Sequence, residues 1–67
     1  MASVLLNGKD YEIAPNSTIL SLIEGLEITH KAMAIAVNTQ VVQKSQWALF
    51  VLQNGDEVEI LDFVGGG

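Results

Sequence analysis

Sixty-seven residues, 49% of them hydrophobic, make one small domain with a core of its own and argue against disorder. Eight acidic residues stand against three lysines and no arginine, for a formal net charge of −5; this disfavours nucleic acid and anionic membrane surfaces, both of which call for Lys and Arg. There is no cysteine, hence no disulfide framework, thiolate metal site or thiol nucleophile. The acidic balance suits a basic protein partner. The lack of cysteine fits a reducing compartment, Met1-Ala2-Ser3 lacks the basic start of a secretory signal, and no apolar run is long enough for a bilayer, so a cytoplasmic location is expected.

Val4-Leu5-Leu6 is a short apolar run followed by Asn7-Gly8, the dipeptide of a two-residue hairpin turn. Lys9 to Ile13 reads as the returning strand, with Tyr11 and Ile13 on one face. Val4 and Leu6 are expected to point to the core and Leu5 to the opposite face. Ala14-Pro15-Asn16 breaks the strand. Ser17 or Thr18 can cap a helix, on which Ile19, Leu22, Ile23 and Leu26 form one apolar stripe. Gly25 is placed inside the last turn of that helix rather than beyond it.

Glu27 to Lys31 is a polar connection holding His30, the only histidine, which is read as solvated. Met33, Ile35 and Val37 alternate with Ala34 and Ala36 as a central strand. The helical crossover is expected to leave this strand parallel to a neighbour. Asn38-Thr39 is a turn, and Gln40 to Val42 a short edge strand. Gln43 to Trp47 reads as a turn or short helical segment laying the indole over the core's edge, with Phe50 and Leu52 nearby. Gln53-Asn54-Gly55-Asp56 is a second hairpin-type turn. Glu57 to Val64 is the last strand: Val58 and Ile60 face inward, and Leu61 and Phe63 share the outward face with Glu59. The order is that of an α+β domain, a mixed sheet of four to five strands packed on one main helix.

Enzyme chemistry finds little support. One histidine and scattered serines (Ser17, Ser21, Ser45) make no triad, and the glycines form no phosphate loop. Asp56, Glu57 and Glu59 match no calcium loop and read as a solvated strand face. Catalytic and metal-ligating residues are therefore expected to be absent. Two features remain. Gly65-Gly66-Gly67 buries no side chain and can thread a narrow channel; the plainer reading is a frayed end. Leu5, Leu61 and Phe63 make an outward apolar patch near the root of this tail, fit for a protein interface unless the chain's own loops cover it.

The chain resembles the sulfur carrier proteins of thiamine biosynthesis (ThiS-type), which have the ubiquitin-like β-grasp fold. The resemblance runs over nearly the whole length. It is carried by Val4-Leu5-Leu6-Asn7-Gly8, Thr18 with Leu22-Ile23 and Leu26, Ala36-Val37-Asn38 with Val41-Val42, Trp47, Asn54-Gly55-Asp56-Glu57-Val58-Glu59-Ile60, and the terminal glycines. Two departures stand out: Gln43-Lys44 replaces a common Pro-Arg, and Glu27 stands where a glycine often follows the helix. The resemblance implies a β-grasp domain over residues 1–64 and a flexible glycine tail over 65–67. It further implies that an adenylating enzyme (ThiF-type), using ATP and magnesium, activates the carboxylate of Gly67. Sulfur from a donor such as a cysteine desulfurase then makes a thiocarboxylate, which thiazole synthase (ThiG-type) consumes. On this reading the chain binds no cofactor, Gly65 and Gly66 thread into the partner, and Leu5, Leu61 and Phe63 dock. A carrier for molybdopterin synthesis or another sulfur pathway, and a ubiquitin-like modifier, are the alternatives.

Overall fold

The computed structural model describes residues 2–28 and 32–62, with the side chain of Asp62 left aside. Among these residues five strands form one sheet: β1 (Ala2–Leu6), β2 (Lys9–Ile13), β3 (Ala32–Val37), β4 (Gln40–Val42) and β5 (Glu57–Asp62). Their order across the sheet is β2-β1-β5-β3-β4. One helix, α1 (Ile19–Gly25), packs on one face. This is the mixed sheet on a single main helix that the sequence leads one to expect. The last strand lies in the middle, parallel to β1 and antiparallel to β3.

Local chemistry explains the elements. At the β1–β2 hairpin Asn7 (φ 49°) and Gly8 (φ 86°) both have positive φ, as a type I′ turn demands. The seven-residue α1 is too short to persist alone, so its ends are fastened. The Thr18 hydroxyl accepts from the Ser21 N–H at 3.1 Å while the Thr18 N–H donates to the Ser21 hydroxyl at 2.8 Å, a capping box. The N–H groups of Ile19 and Leu20, which no helical carbonyl can reach, donate to the carbonyls of Phe50 (3.1 Å) and Trp47 (3.0 Å). At the other end Gly25 lies inside the last turn. Ile28 N–H donates to Ile23 and Glu27 N–H to Glu24, both at 3.1 Å, the two bonds of a Schellman motif. Glu27 holds the left-handed position of that motif at φ 61°.

The core joins Ile19, Leu22 and Ile23 of α1 to Val4, Ile13, Ile35, Val37 and Val58 of the sheet. Trp47, just past a 3-10 turn at Lys44–Gln46, is buried among these residues with Leu52, deeper than the core's edge where the sequence suggests it. Its indole N–H donates to the Val42 carbonyl at 3.0 Å, so the one polar atom it buries has a partner.

Three sequence expectations are corrected. Strand β3 is not parallel to a neighbour: it runs antiparallel to both β5 and β4. It does share its direction with β2, but β1 and β5 lie between them. Met33 does not share the inward face with Ile35 and Val37. A register shift between Ala32 and Ala34 buries Ala32 and leaves Met33 60% exposed. Gly55 (φ 89°) belongs to no hairpin, because β5 pairs with β1 and β3 rather than with the segment before the turn. In that turn Gly55 alone has positive φ, and Asp56 N–H donates back to the Gln53 carbonyl at 3.0 Å, the pattern of a type II turn. Gly55 N–H donates to the Ser3 carbonyl and the Asn54 side chain accepts from the Ser3 N–H, which docks the turn on β1.

Candidate functional site

Strand alternation divides the sheet into a helix-covered face and an open one. Registers place Leu5 beside Glu57, Ala36 opposite Glu59, Ala34 opposite Leu61, and Val41 opposite Ala36, all facing away from α1. Asp10, opposite Leu5, and Glu12, opposite Ser3, join them from β2. Leu61 is 63% exposed and Val41 74% exposed, whereas Leu5 is only half-buried. The open face thus carries apolar groups on both sides of an acidic stripe. On one side a shallow depression of about 310 Å³ is lined by Ala34, Ala36, Val41 and Leu61 together with Glu59 and Asn7. On the other a smaller one of about 200 Å³ is lined by Leu5 and Gly8 with Glu57 and Glu59.

Leu5 and Leu61 therefore share the face that alternation assigns them, with glutamates between them. Phe63, Gly65, Gly66 and Gly67 lie outside the described residues, as does His30. Sequence reasoning leaves out Ala34, Ala36 and Val41. Their signal is present, since alanines alternating with Ile35 and Val37 must face the other way, but small side chains do not read as a patch until β5 lies beside them.

Asn7 is the second omission. Strand β1 ends at Leu6, yet Asn7 continues its pairing with β5. Its N–H donates to the Val58 carbonyl at 2.9 Å and its Oδ1 accepts from the Ile60 N–H at 2.8 Å. Its Nδ2 reaches the Ile60 carbonyl at 3.4 Å. Asn38 does the same on the other side of β5. Its N–H donates to the Glu57 carbonyl (2.8 Å), its Oδ1 accepts from the Glu57 N–H (2.9 Å), and its Nδ2 donates to Asp56 (3.0 Å). The strand that leads to the tail is thus held at its start by Asn38 and toward its end by Asn7.

Among the described residues no group of His, Cys, Asp and Glu is arranged to hold a metal ion, and no helix is long and apolar enough to cross a membrane. The chemistry available is that of a surface: an apolar and acidic sheet face, with the chain running on past its central strand.

A small sheet gripping one helix, with the last strand central, defines a ubiquitin-like β-grasp protein. The solved structure of a thiamine biosynthesis protein (ThiS) from Geobacter metallireducens superposes with a TM-score of 0.80 at 25% identity, over 97% of this chain and 99% of that one. The ThiS family model matches residues 4–67, and the protein belongs to that family, the sulfur carriers of thiamine biosynthesis, which are not catalysts. The sulfur carrier protein ThiS of Escherichia coli is 31% identical over 64 residues, 96% of this chain and 97% of the relative. A thiazole synthase from Paramagnetospirillum magneticum is 30% identical over 64 residues, a stretch that makes up 20% of that protein.

Proposed function

We propose that the protein carries sulfur as a thiocarboxylate on Gly67 and delivers it for thiazole formation in thiamine biosynthesis. The observation that supports this most is that the family match runs through residue 67 and so takes in all three terminal glycines. A carboxylate is a poor electrophile, and a side-chain-free arm lets a partner enclose it. The Gly67 carboxylate attacks the α-phosphorus of ATP, held with magnesium by an adenylating enzyme, and pyrophosphate leaves. A persulfide on a sulfur donor such as a cysteine desulfurase then attacks the acyl-adenylate carbonyl and AMP departs. A thiol cleaves the sulfur–sulfur bond of the resulting acyl disulfide, leaving the thiocarboxylate on Gly67 and a disulfide on the donor.

In this scheme the chain supplies no catalytic side chain. Leu5, Leu61 and Phe63, joined by Ala34, Ala36 and Val41, dock the sheet on the partner, and Glu57 and Glu59 favour a partner whose surface is basic around an apolar centre. Gly65 and Gly66 form the segment that enters the partner's channel. Thiazole synthase is the acceptor, and a chain that carries a similar stretch within its own thiazole synthase supports that pairing.

The test is the intact mass after incubation with an adenylating enzyme, ATP, magnesium and a sulfur source. A gain equal to replacing one oxygen by sulfur, mapped to Gly67, is expected. Deleting Gly67 is expected to abolish the gain while leaving thermal unfolding unchanged. Normal loading of the deletion variant, or an amide linkage to lysine in place of sulfur, would overturn the proposal.

A further inference from the structure

The two edges of the sheet differ in a way that carriage of sulfur does not explain. Edge strand β2, Lys9-Asp10-Tyr11-Glu12-Ile13, has three charges in five residues. Charged side chains on an edge strand oppose pairing with another chain. Edge strand β4 has none: Gln40-Val41-Val42 is followed by Gln43, which keeps extended backbone angles (φ −64°, ψ 146°). No proline interrupts this run, and Val41 is 74% exposed.

The hairpin geometry shows what this edge offers. Val37 and Gln40 flank a two-residue turn and form its closing hydrogen-bonded pair, as Ile35 and Val42 do two residues on. The N–H and C=O of Val41 therefore point away from β3, and among the described residues they have no partner. The strand is also held in place, because the Trp47 indole N–H fixes the Val42 carbonyl from the core side. Beside it lies a groove of about 580 Å³ whose polar lining is uncharged: Asn38, Gln40, Gln43 and Gln46, with Val42 and Phe50 as apolar walls.

We infer that β4 is a self-pairing edge, and that a second copy of this chain adds its own β4 antiparallel to it, with the two-fold axis passing through Val41. With Val41 opposite Val41 of the second copy, each donates its N–H to the other's carbonyl, the two Cα atoms lie about 5.5 Å apart, and the sheets join into one. Each Gln40 then lies across from Val42 of the other copy, beside the amide-lined groove. A chain with net charge −5 repels its copy over most of its surface, and this uncharged edge avoids that repulsion. The pairing leaves the open face and β5 accessible, since β3 separates β5 from the joined edge. It therefore goes beyond the sulfur-carrying role and does not depend on it.

Because the chain has no cysteine, single-cysteine variants test this directly. Under a mild oxidant Val41→Cys is expected to form a disulfide dimer at least about tenfold faster than Glu12→Cys on the opposite edge, because directly paired residues meet the Cα separation a disulfide needs. Sedimentation equilibrium of the unmodified chain up to about 1 mM is expected to show a monomer–dimer equilibrium, the weak range suited to so small an interface. Val41→Lys is expected to shift it to monomer, with the native near-ultraviolet signal of Trp47 retained. Equal cross-linking rates, or a strictly monomeric chain whose Val41 amide exchanges freely, would overturn the inference. Protection of that amide only when another protein is added would do the same and assign the edge to that protein.

Discussion

Asn7 and Asn38 each use a side-chain amide to do what a backbone peptide does in a ladder. An amide side chain offers a donor and an acceptor at nearly the spacing of a peptide group, and asparagine tolerates the left-handed conformation both residues hold (φ 49° and 50°). Asn7→Ala removes the acceptor of the Ile60 N–H and places a less suited residue at positive φ. A loss of about 1–2 kcal/mol in chemical denaturation is expected, with faster exchange at the Ile60 amide. Asn7 was legible as a turn residue, because Asn-Gly needs only its neighbours to be understood. Its grip on Ile60 was not, because that bond joins residues 53 positions apart and depends on β5 lying beside β1. Leu61 was legible for the opposite reason: alternation within one strand assigns its face whatever the neighbours are.

At the scale of elements, α1 shows a local sequence out of step with its backbone. Gly25 sits in the last helical turn, where a Cβ would meet nothing within 4 Å, while Glu27 holds the left-handed position that follows. Glycine in a helix is worth about 1 kcal/mol less than alanine, and a non-glycine residue at positive φ costs about 1–2 kcal/mol. Gly25→Ala and Glu27→Gly are therefore each expected to stabilise by about 0.5–1 kcal/mol after the unfolded-state entropy of glycine is counted. A denaturation midpoint that rises for both, with unchanged slope, is the expected result. The helix itself was readable from the spacing of Ile19, Leu22, Ile23 and Leu26. Met33 was misread because a one-residue shift in pairing inverts the faces before it, and a bulge leaves no mark in a run of small and apolar residues.

The strand order belongs to the whole molecule, and it was the part least available in advance. The connection from β4 to β5 is long enough to reach several positions, and what settles the choice is that β5 has inward Val58 and Ile60 and can bridge β1 and β3 at once. That placement gathers Ala34, Ala36, Val41 and Leu61 on one face. Leu61→Asp is expected to weaken binding to the adenylating enzyme by at least about tenfold, since a central apolar contact replaced by a charge near Glu59 costs both burial and like-charge repulsion. Thermal unfolding should shift little, because Leu61 is 63% exposed. Unchanged affinity in a calorimetric titration would remove the open face from the docking scheme.

The central position of β5 also bears on how such a chain is made. Synthesis delivers β1 with β2 and then β3 with β4, two hairpins that share no hydrogen-bonded ladder until residues 57–62 arrive between them. The native sheet therefore cannot close while β5 is still inside the ribosome, however long the earlier strands have waited outside. A nascent or broken chain lacks the surface assembled around β5, so it has no means of passing for a finished one.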